Sequence, residues 1–288
     1  VAAKPFTFTR EGNREVFTFD VRPPATLPRG PIELRALARD ASGRRYDTTV
    51  VTVDYPHVRP RSFVRPSTAI VRATALTLPR LDRVGYIRGA ADRVPEALRS
   101  VGIPLTVLDA QALDRGDLDR YQAIVVGPRA FATDSALIEN NGRLLEYARR
   151  GGLVIVQYQQ GRFFQGGFAP YPMTLADPHD RVTDETAAMT VLSPNDPVVN
   201  TPNRLGPDDW KGWVQERGLY FARSWDASYR PVFETHDPGE GPLKGGLLVA
   251  RVGKGRYVYT GLSFFRQLPA GTPGAYRLFA NLLALAQH

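Results

Sequence analysis

The stretch "GGLVIVQYQQGRFF", Gly151 to Phe164, has the form of a buried strand running into a polar, glycine-containing turn. In many α/β enzymes such a turn, in the pattern G-x-S-x-G, presents the nucleophile. Here it offers Gln157, Tyr158, Gln159 and Gln160. Amides do not attack carbonyls, and a tyrosine near its unperturbed pKa of about 10 needs strong activation first. The turn is therefore expected to be an empty, degenerate elbow. The chain has no cysteine, which also excludes thiolate nucleophiles, thiolate metal sites and disulfides.

Metal chemistry finds no better footing. His57, His179, His236 and His288 stand far apart in the sequence, and each reads as a surface or turn residue. The stretch "DPHDRVTDE" gathers His179, Asp180, Asp184 and Glu185 but has no second histidine at ligand spacing. The expectation is a turn capped by Asp and Thr, with Arg181 paired to a carboxylate, and neither metal nor cofactor. Carboxylates leave one catalytic alternative open: a cysteine-independent hydrolase with Asp92 or Glu185 as general base in a crevice.

The remaining dense signal is "PDDWKGWVQERGLYFARSW", Pro207 to Trp225, which holds all 3 tryptophans of the chain. One reading packs the rings into a core. The other makes Trp210, Trp213, Gln215, Glu216, Arg217, Tyr220 and Trp225, with Asp208 and Asp209 beside them, a polar-rimmed surface for a glycan or another domain. Sugars suit such a surface because their C–H faces stack on rings while their hydroxyls need polar partners. Lys211, Glu216 and Arg217 interrupt the tryptophans, and burying unpaired charge is costly, so the contact surface is the expectation.

These residues must be positioned by something, and the hydrophobic period shows what. From Pro5 to about Leu78, "FTFTR", "EVFTFDV", "IELRALARD" and "YDTTVVTVDY" alternate apolar and polar residues between breaks such as "RPPATLPRGP" and "ASGRR". That is the pattern of a half-buried antiparallel sheet, here an immunoglobulin-like β-sandwich over residues 1–79. After Pro79 strand and helix alternate: "RVGYIRG", "AADRVPEALRSVG", "PLTVLD", "YQAIVVGP", "SALIENNGRLLEYARRGG" and "LVIVQYQQ". Aliphatic strands between amphipathic helices predict a flavodoxin-like, doubly wound parallel sheet over residues 80–288. A hairpin at Gly253 to Gly255 and a last helix, "AYRLFANLLALA", close it. In such sheets ligands gather at the carboxyl ends of the strands, so residues after "YIRG", "VVGPRAF" and "VIVQYQQ" should ring any site.

At 288 residues with 43% apolar composition the chain can core two domains. Its net charge of +8 comes from scattered residues, almost all arginine, with no basic stripe interleaved with stacking aromatics, so no nucleic-acid partner is expected. No run reaches the ~18 apolar residues of a membrane span. The chain opens without methionine in mid-strand pattern, which suggests a piece of a longer precursor whose targeting signal lies upstream.

Several stretches carry a resemblance. "RVGYIRGAADRVPEALRSVGIPLTVLD", "YQAIVVGPRAFAT", "GGLVIVQYQQ", "RVTDE", "GWVQERGLYF" and "GRYVYTGLSFFRQLPAGTPGAYRLFANLL" together resemble the C-terminal region of large bacterial PIG-L (LmbE-like) de-N-acetylases. That region is similar to the class I glutamine amidotransferase-like fold and follows an immunoglobulin-like sandwich. The family's H-P-x-D-D zinc signature is absent, and the amidotransferase cysteine is impossible here. The resemblance thus implies a non-catalytic accessory region, extracytoplasmic, that positions an upstream deacetylase domain of the same polypeptide or holds a glycan.

Overall fold

A computed structural model describes residues 1–22, 24, 26 and 30–287. His288 and much of the turn expected at "RPPATLPRGP" lie outside the described residues. The chain divides into two units between Ala73 and Thr74, a few residues ahead of the expected boundary. Residues 74–79 go with the second unit for a local reason: Thr77 exchanges backbone hydrogen bonds with the Asn203 amide, at 2.9 Å each way.

The first unit contains β1 (Pro31–Arg35), β2 (Ala38–Arg39), β3 (Arg45–Tyr46), β4 (Thr48–Tyr55), β5 (Val58–Pro66) and β6 (Thr68–Arg72). They form three separate antiparallel pairs, β1 with β6, β2 with β3 and β4 with β5. The antiparallel pairing is as expected; the half-burial is not. None of the described residues of this unit is buried. The phenylalanine-rich segments before β1 also face each other, with Phe6 and Phe17 rings 6.1 Å apart and Lys4 5.4 Å over Phe19, around Gly12 at φ 82°.

The second unit begins β7 (Val84–Ile87), α1 (Val94–Ser100), β8 (Leu105–Val107), α2 (Ala110–Arg115), β9 (Ala123–Val126) and α3 (Ala130–Thr133). It continues α4 (Ser135–Glu139), α5 (Asn141–Arg150), β10 (Leu153–Gln157), α6 (Gly161–Gln165), β11 (Met173–Val182), β12 (Thr190–Val191) and α7 (Pro197–Asn200). It ends β13 (Gly218–Trp225), β14 (Tyr229–Pro231), β15 (Phe233–Glu234), β16 (Leu247–Val252), β17 (Gly255–Thr260), α8 (Phe264–Gln267) and α9 (Pro273–Ala284). Seven strands make one sheet in the order β14-β16-β17-β10-β9-β7-β8. Neighbours from β17 to β8 are parallel, and counted in chain order they run 2-1-3-4-5, the flavodoxin-like arrangement. β16 and β14 extend this sheet antiparallel, and β16 and β17 are the expected hairpin.

Strand alternation sends side chains to two cores. Val84, Tyr86, Val125, Ile155 and Val258 face one side, where α9 supplies Leu278, Phe279, Leu282 and Leu283 and α1 supplies Val94 and Leu98. Ile87, Ile124, Val126, Val154 and Tyr259 face the other, under Phe131, Leu137, Leu144, Tyr147 and Phe163 of α3 to α6. Both faces of the sheet are covered, which is why its strands are aliphatic without polar alternation. The single helix expected over "SALIENNGRLLEYARR" is interrupted at Asn140, whose side-chain amide donates to the Ala136 carbonyl at 3.0 Å in competition with the helical ladder. Among the described residues no helix is long and apolar enough to cross a membrane.

Candidate functional site at the strand ends

The turns after β7, β9, β10 and β17 meet at the carboxyl edge of the sheet. The first two touch through backbone: a Cβ on Gly89 would stand 2.0 Å from the Pro128 carbonyl oxygen, so only glycine admits this approach. Asp92, 5% exposed, ties the β7 turn together. Its Oδ2 accepts from the Tyr86 hydroxyl at 2.8 Å and the Gly89 N–H at 3.1 Å, and its Oδ1 accepts from the Val94 N–H at 3.0 Å. Tyr86 in turn accepts from Gln157 Nε2 at 2.8 Å. Burial, reinforced by the Asp92 charge, pushes the Tyr86 hydroxyl well above its ordinary pKa, so it remains a donor. Gln157 Oε1 is buried at the end of this chain with no partner among the described residues.

The expected elbow at Gln157 to Gln160 is a set of staples and rings. Gln159 is fully buried; its Nε2 donates to the Gly127 and Gln157 carbonyls at 2.9 Å each, and its Oε1 accepts from the Phe131 N–H at 3.1 Å. It locks the β9 turn to the β10 turn. Tyr158 stacks on Tyr220 with centroids 5.7 Å apart and leans on Phe265 at 5.0 Å. Burial raises its pKa, so it is no better a nucleophile than free tyrosine. Gln160 Nε2 donates to the Tyr220 hydroxyl at 3.2 Å.

A strained strand-to-helix turn lies one strand away, and Ala91 at φ 50° gives the β7–α1 turn the same hand. Arg129, between β9 and α3, is left-handed at φ 59°, ψ 18°. That is the backbone a nucleophile elbow uses, and it carries an arginine. Its peptide N–H donates to the Tyr158 carbonyl at 2.9 Å, its Nε is buried without a partner, and no ion pair is found for it among the described residues. The only advance sign was "GP" directly after four aliphatic residues.

Beyond Tyr158 the rings continue. Tyr220, itself left-handed at φ 53°, lies flat on His179 with centroids 3.9 Å apart. His179 lines a groove of about 510 Å³ between α6 and β11, with Phe164, Gln165, Thr174 and Asp177. Of the sequence-predicted contact surface, then, Tyr220 reaches this region.

The rest of that surface is placed differently. Trp210 and Trp213 are 8% and 3% exposed and belong to the α9-side core. Trp213 Nε1 donates to the Asp209 carbonyl at 3.1 Å. The expectation failed because the buried charge found backbone partners: Arg217 is 2% exposed, and its guanidinium donates to the Ala187 and Trp210 carbonyls at 2.9 and 2.6 Å. Desolvation lowers its pKa to about 10, which leaves it charged at neutral pH. Glu216 pairs with Arg266 at 2.7 Å, Asp209 with Arg277 at 2.7 Å and Lys211 with Asp208 at 2.6 Å. Gln215 is exposed and Trp225 half-buried against the other core.

The stretch "DPHDRVTDE" is not all turn: Asp177 to Val182 are the end of β11, and the capped turn begins at Thr183. Asp184 accepts from the Thr186 N–H and hydroxyl at 2.7 and 2.6 Å, and Asp237 accepts from Thr183 and the Asp184 N–H. Asp180 pairs with Arg223 at 2.6 Å, whereas no ion pair is found at Arg181 among the described residues. No cluster of potential metal ligands occurs among the described residues. The two candidate general bases do not converge: Asp92 is spent on the β7 turn, and Glu185 is exposed on the turn after β11.

No protein-family model and no curated relative matches the chain. Among solved structures it is similar to a cytoplasmic protein of Salmonella typhimurium, with 16% identity and a TM-score of 0.45 over 82% of this chain and 95% of that one. A ThuA-like protein of Bacteroides uniformis gives 12% and 0.42 over 75% and 95%. A cold-adapted β-galactosidase of Rahnella sp. R3 gives 14% and 0.40 over 70% of this chain but 31% of that enzyme. Likenesses at this level say nothing about activity.

Proposed function

We propose that the second unit is a non-catalytic binding module that holds a glycan in the groove between α6 and β11, as the accessory region of a larger enzyme. One observation carries this reading: the left-handed residues at the strand-to-helix turns, where a nucleophile would stand, are Arg129 after β9 and Ala91 after β7, neither of which can attack a carbonyl. A guanidinium stays protonated and attacks nothing at neutral pH. Of the carboxylates that could replace a nucleophile, Asp92 is committed to the β7 turn and Glu185 is exposed on the turn after β11. What the strand ends do present is ring surface, His179 and Phe164, beside Gln165, Thr174 and Asp177, the mixture of stacking face and polar partners a sugar needs.

The fuller assignment belongs to the same proposal. The 2-1-3-4-5 strand order and the elbow turn support a class I glutamine amidotransferase-like ancestry, and period-two strands in antiparallel pairs support an immunoglobulin-like sandwich for the first unit. An upstream de-N-acetylase domain as partner, and an extracytoplasmic setting, rest on the sequence resemblance. Calorimetry with neutral oligosaccharides tests the binding role: His179→Ala and Phe164→Ala should each weaken binding about tenfold or more, given that one ring stack contributes ~0.5–1.5 kcal/mol beyond its buried area. Affinity unchanged in both variants would remove the groove from consideration.

A further inference from the structure

Arg129 is oddly provisioned for a structural residue. Two arginines at the strand ends are matched, Arg88 with Glu96 at 2.7 Å and Arg266 with Glu216 at 2.7 Å, and Arg162, which has no ion pair among the described residues, is exposed to water. Arg129 has no such partner, its Nε is shut away from water, and its backbone is held in a conformation that disfavours any residue with a Cβ. A partly buried cation without a counter-ion pays for its desolvation with nothing inside the fold. Its backbone is tied to a row of rings that ends at the groove. The Arg129 N–H is bonded to the Tyr158 carbonyl, Tyr158 stacks on Tyr220, and Tyr220 stacks on the groove residue His179. Two ring contacts, with centroids 5.7 and 3.9 Å apart, lead from Tyr158 to the groove residue His179, a span within reach of a short oligosaccharide.

We propose that Arg129 is the anion anchor of this site and that the glycan it takes carries a carboxylate, as a uronic acid does. This rests on the glycan reading given above and adds the charge of the ligand to it. The guanidinium fork matches a planar carboxylate, and one such group supplies the counter-ion that this partly buried cation lacks. A phosphate dianion would ask for a second cation, and the neighbouring Arg266 is already neutralised by Glu216.

The test is calorimetry on the whole chain with three probes: a trigalacturonate, the same trimer with its carboxylates reduced to hydroxymethyl groups, and inorganic phosphate. The acidic trimer should bind at least tenfold tighter than its neutral counterpart. Arg129→Gln should abolish that difference while retaining binding of the neutral trimer, and Arg129→Lys should restore only part of it. Thermal unfolding of both variants guards against a folding defect, and if Arg129→Gln does not fold, the acid-to-neutral ratio of the unaltered chain decides. Equal affinity for the two trimers overturns the anchor and leaves the glycan reading standing. Arg129-dependent binding of phosphate but not of trigalacturonate overturns the carboxylate assignment. Binding of neither trimer overturns both readings.

Discussion

Both units of this chain string β-branched and aromatic residues along their strands, but only the second hides them. In the first, β4 and β5 place Val51 opposite Phe63 on one face and Val50 opposite Val64 on the other, so the hairpin is apolar on both sides. Phe63 is 50% exposed and Val64 65%. Two strands cannot shield two faces, and an isolated pair is marginal in water. In the second, β10 carries the same chemistry with no exposure at all at Val154, Ile155 and Val156, because helices lie on both sides. Strand pairing follows from local pattern; burial needs a second layer to be present.

The same contrast governs strain. Among the described residues, the four non-glycine ones with positive φ, Ala91, Arg129, Gln215 and Tyr220, all belong to the second unit. Among the described residues of the first, only glycines, Gly12, Gly30 and Gly43, adopt such angles. A left-handed residue with a Cβ persists only where the surrounding packing over-determines it. Three of the four border the strand-end turns or the ring stack at their edge.

The largest effect that could break this comparison is in the cores. Trp213→Ala should destabilise the second unit by about 3–5 kcal/mol, the range for truncating a buried large aromatic. Phe63→Ala in the first should change stability by no more than ~0.5 kcal/mol, as for a surface position. Chemical denaturation of each variant reads both. A large loss at Phe63 would mean that the first unit has a covering layer after all.

How much of this was legible in advance follows the same physics. The parallel strands could be read because runs such as "AIVV" and "LVIV" have one structural use at that length between amphipathic helices. The β11–β13 pair could not, since its register shifts at Thr174, Leu175 and Asp180 break the period-two signal. The tryptophan segment misled because its charges were expected to stay unpaired if buried, while Arg217 is satisfied by the carbonyls of Ala187 and Trp210. Backbone partners are invisible to composition. The ring stack of His179 on Tyr220 joins residues from two bulged strands, and no spacing rule brings them together.

A smaller effect sharpens the contrast inside the second unit. At Gly89 an added Cβ would meet Pro128 O at 2.0 Å, Pro128 N at 2.7 Å and Gly127 C at 2.8 Å, all backbone atoms that cannot rotate away. At Gly142, in the first turn of α5, nothing lies within 4 Å. Gly89→Ala should therefore cost about 1–3 kcal/mol by forcing the β7 and β9 turns apart. Gly142→Ala should add roughly 0.5–1 kcal/mol by lowering the entropy lost on helix formation. Equal responses in melting experiments would show that the strand-end turns are not in the contact described.

The smallest expected effect bears most directly on why strain is kept. Arg129 makes no side-chain hydrogen bond or ion pair among the described residues, so its removal forfeits little attraction, while its left-handed backbone disfavours every residue with a Cβ by roughly 1–2 kcal/mol. Glycine is indifferent to that region but gives back about 0.5–1 kcal/mol through the greater freedom of its unfolded chain. Arg129→Gly should therefore stabilise the second unit by a few tenths to about 1 kcal/mol, read as a rise in the denaturation midpoint without a change in slope. Arg129→Ala keeps the Cβ and should gain less, so the difference between the two isolates the backbone from the lost charge. If instead both variants destabilise by more than about 1 kcal/mol, the guanidinium has a structural partner and the strain is not being held for a ligand. If glycine stabilises and alanine does not, the fold carries at Arg129 a side chain that its own stability does not require, in a strand-end turn tied through Tyr158 to the ring stack.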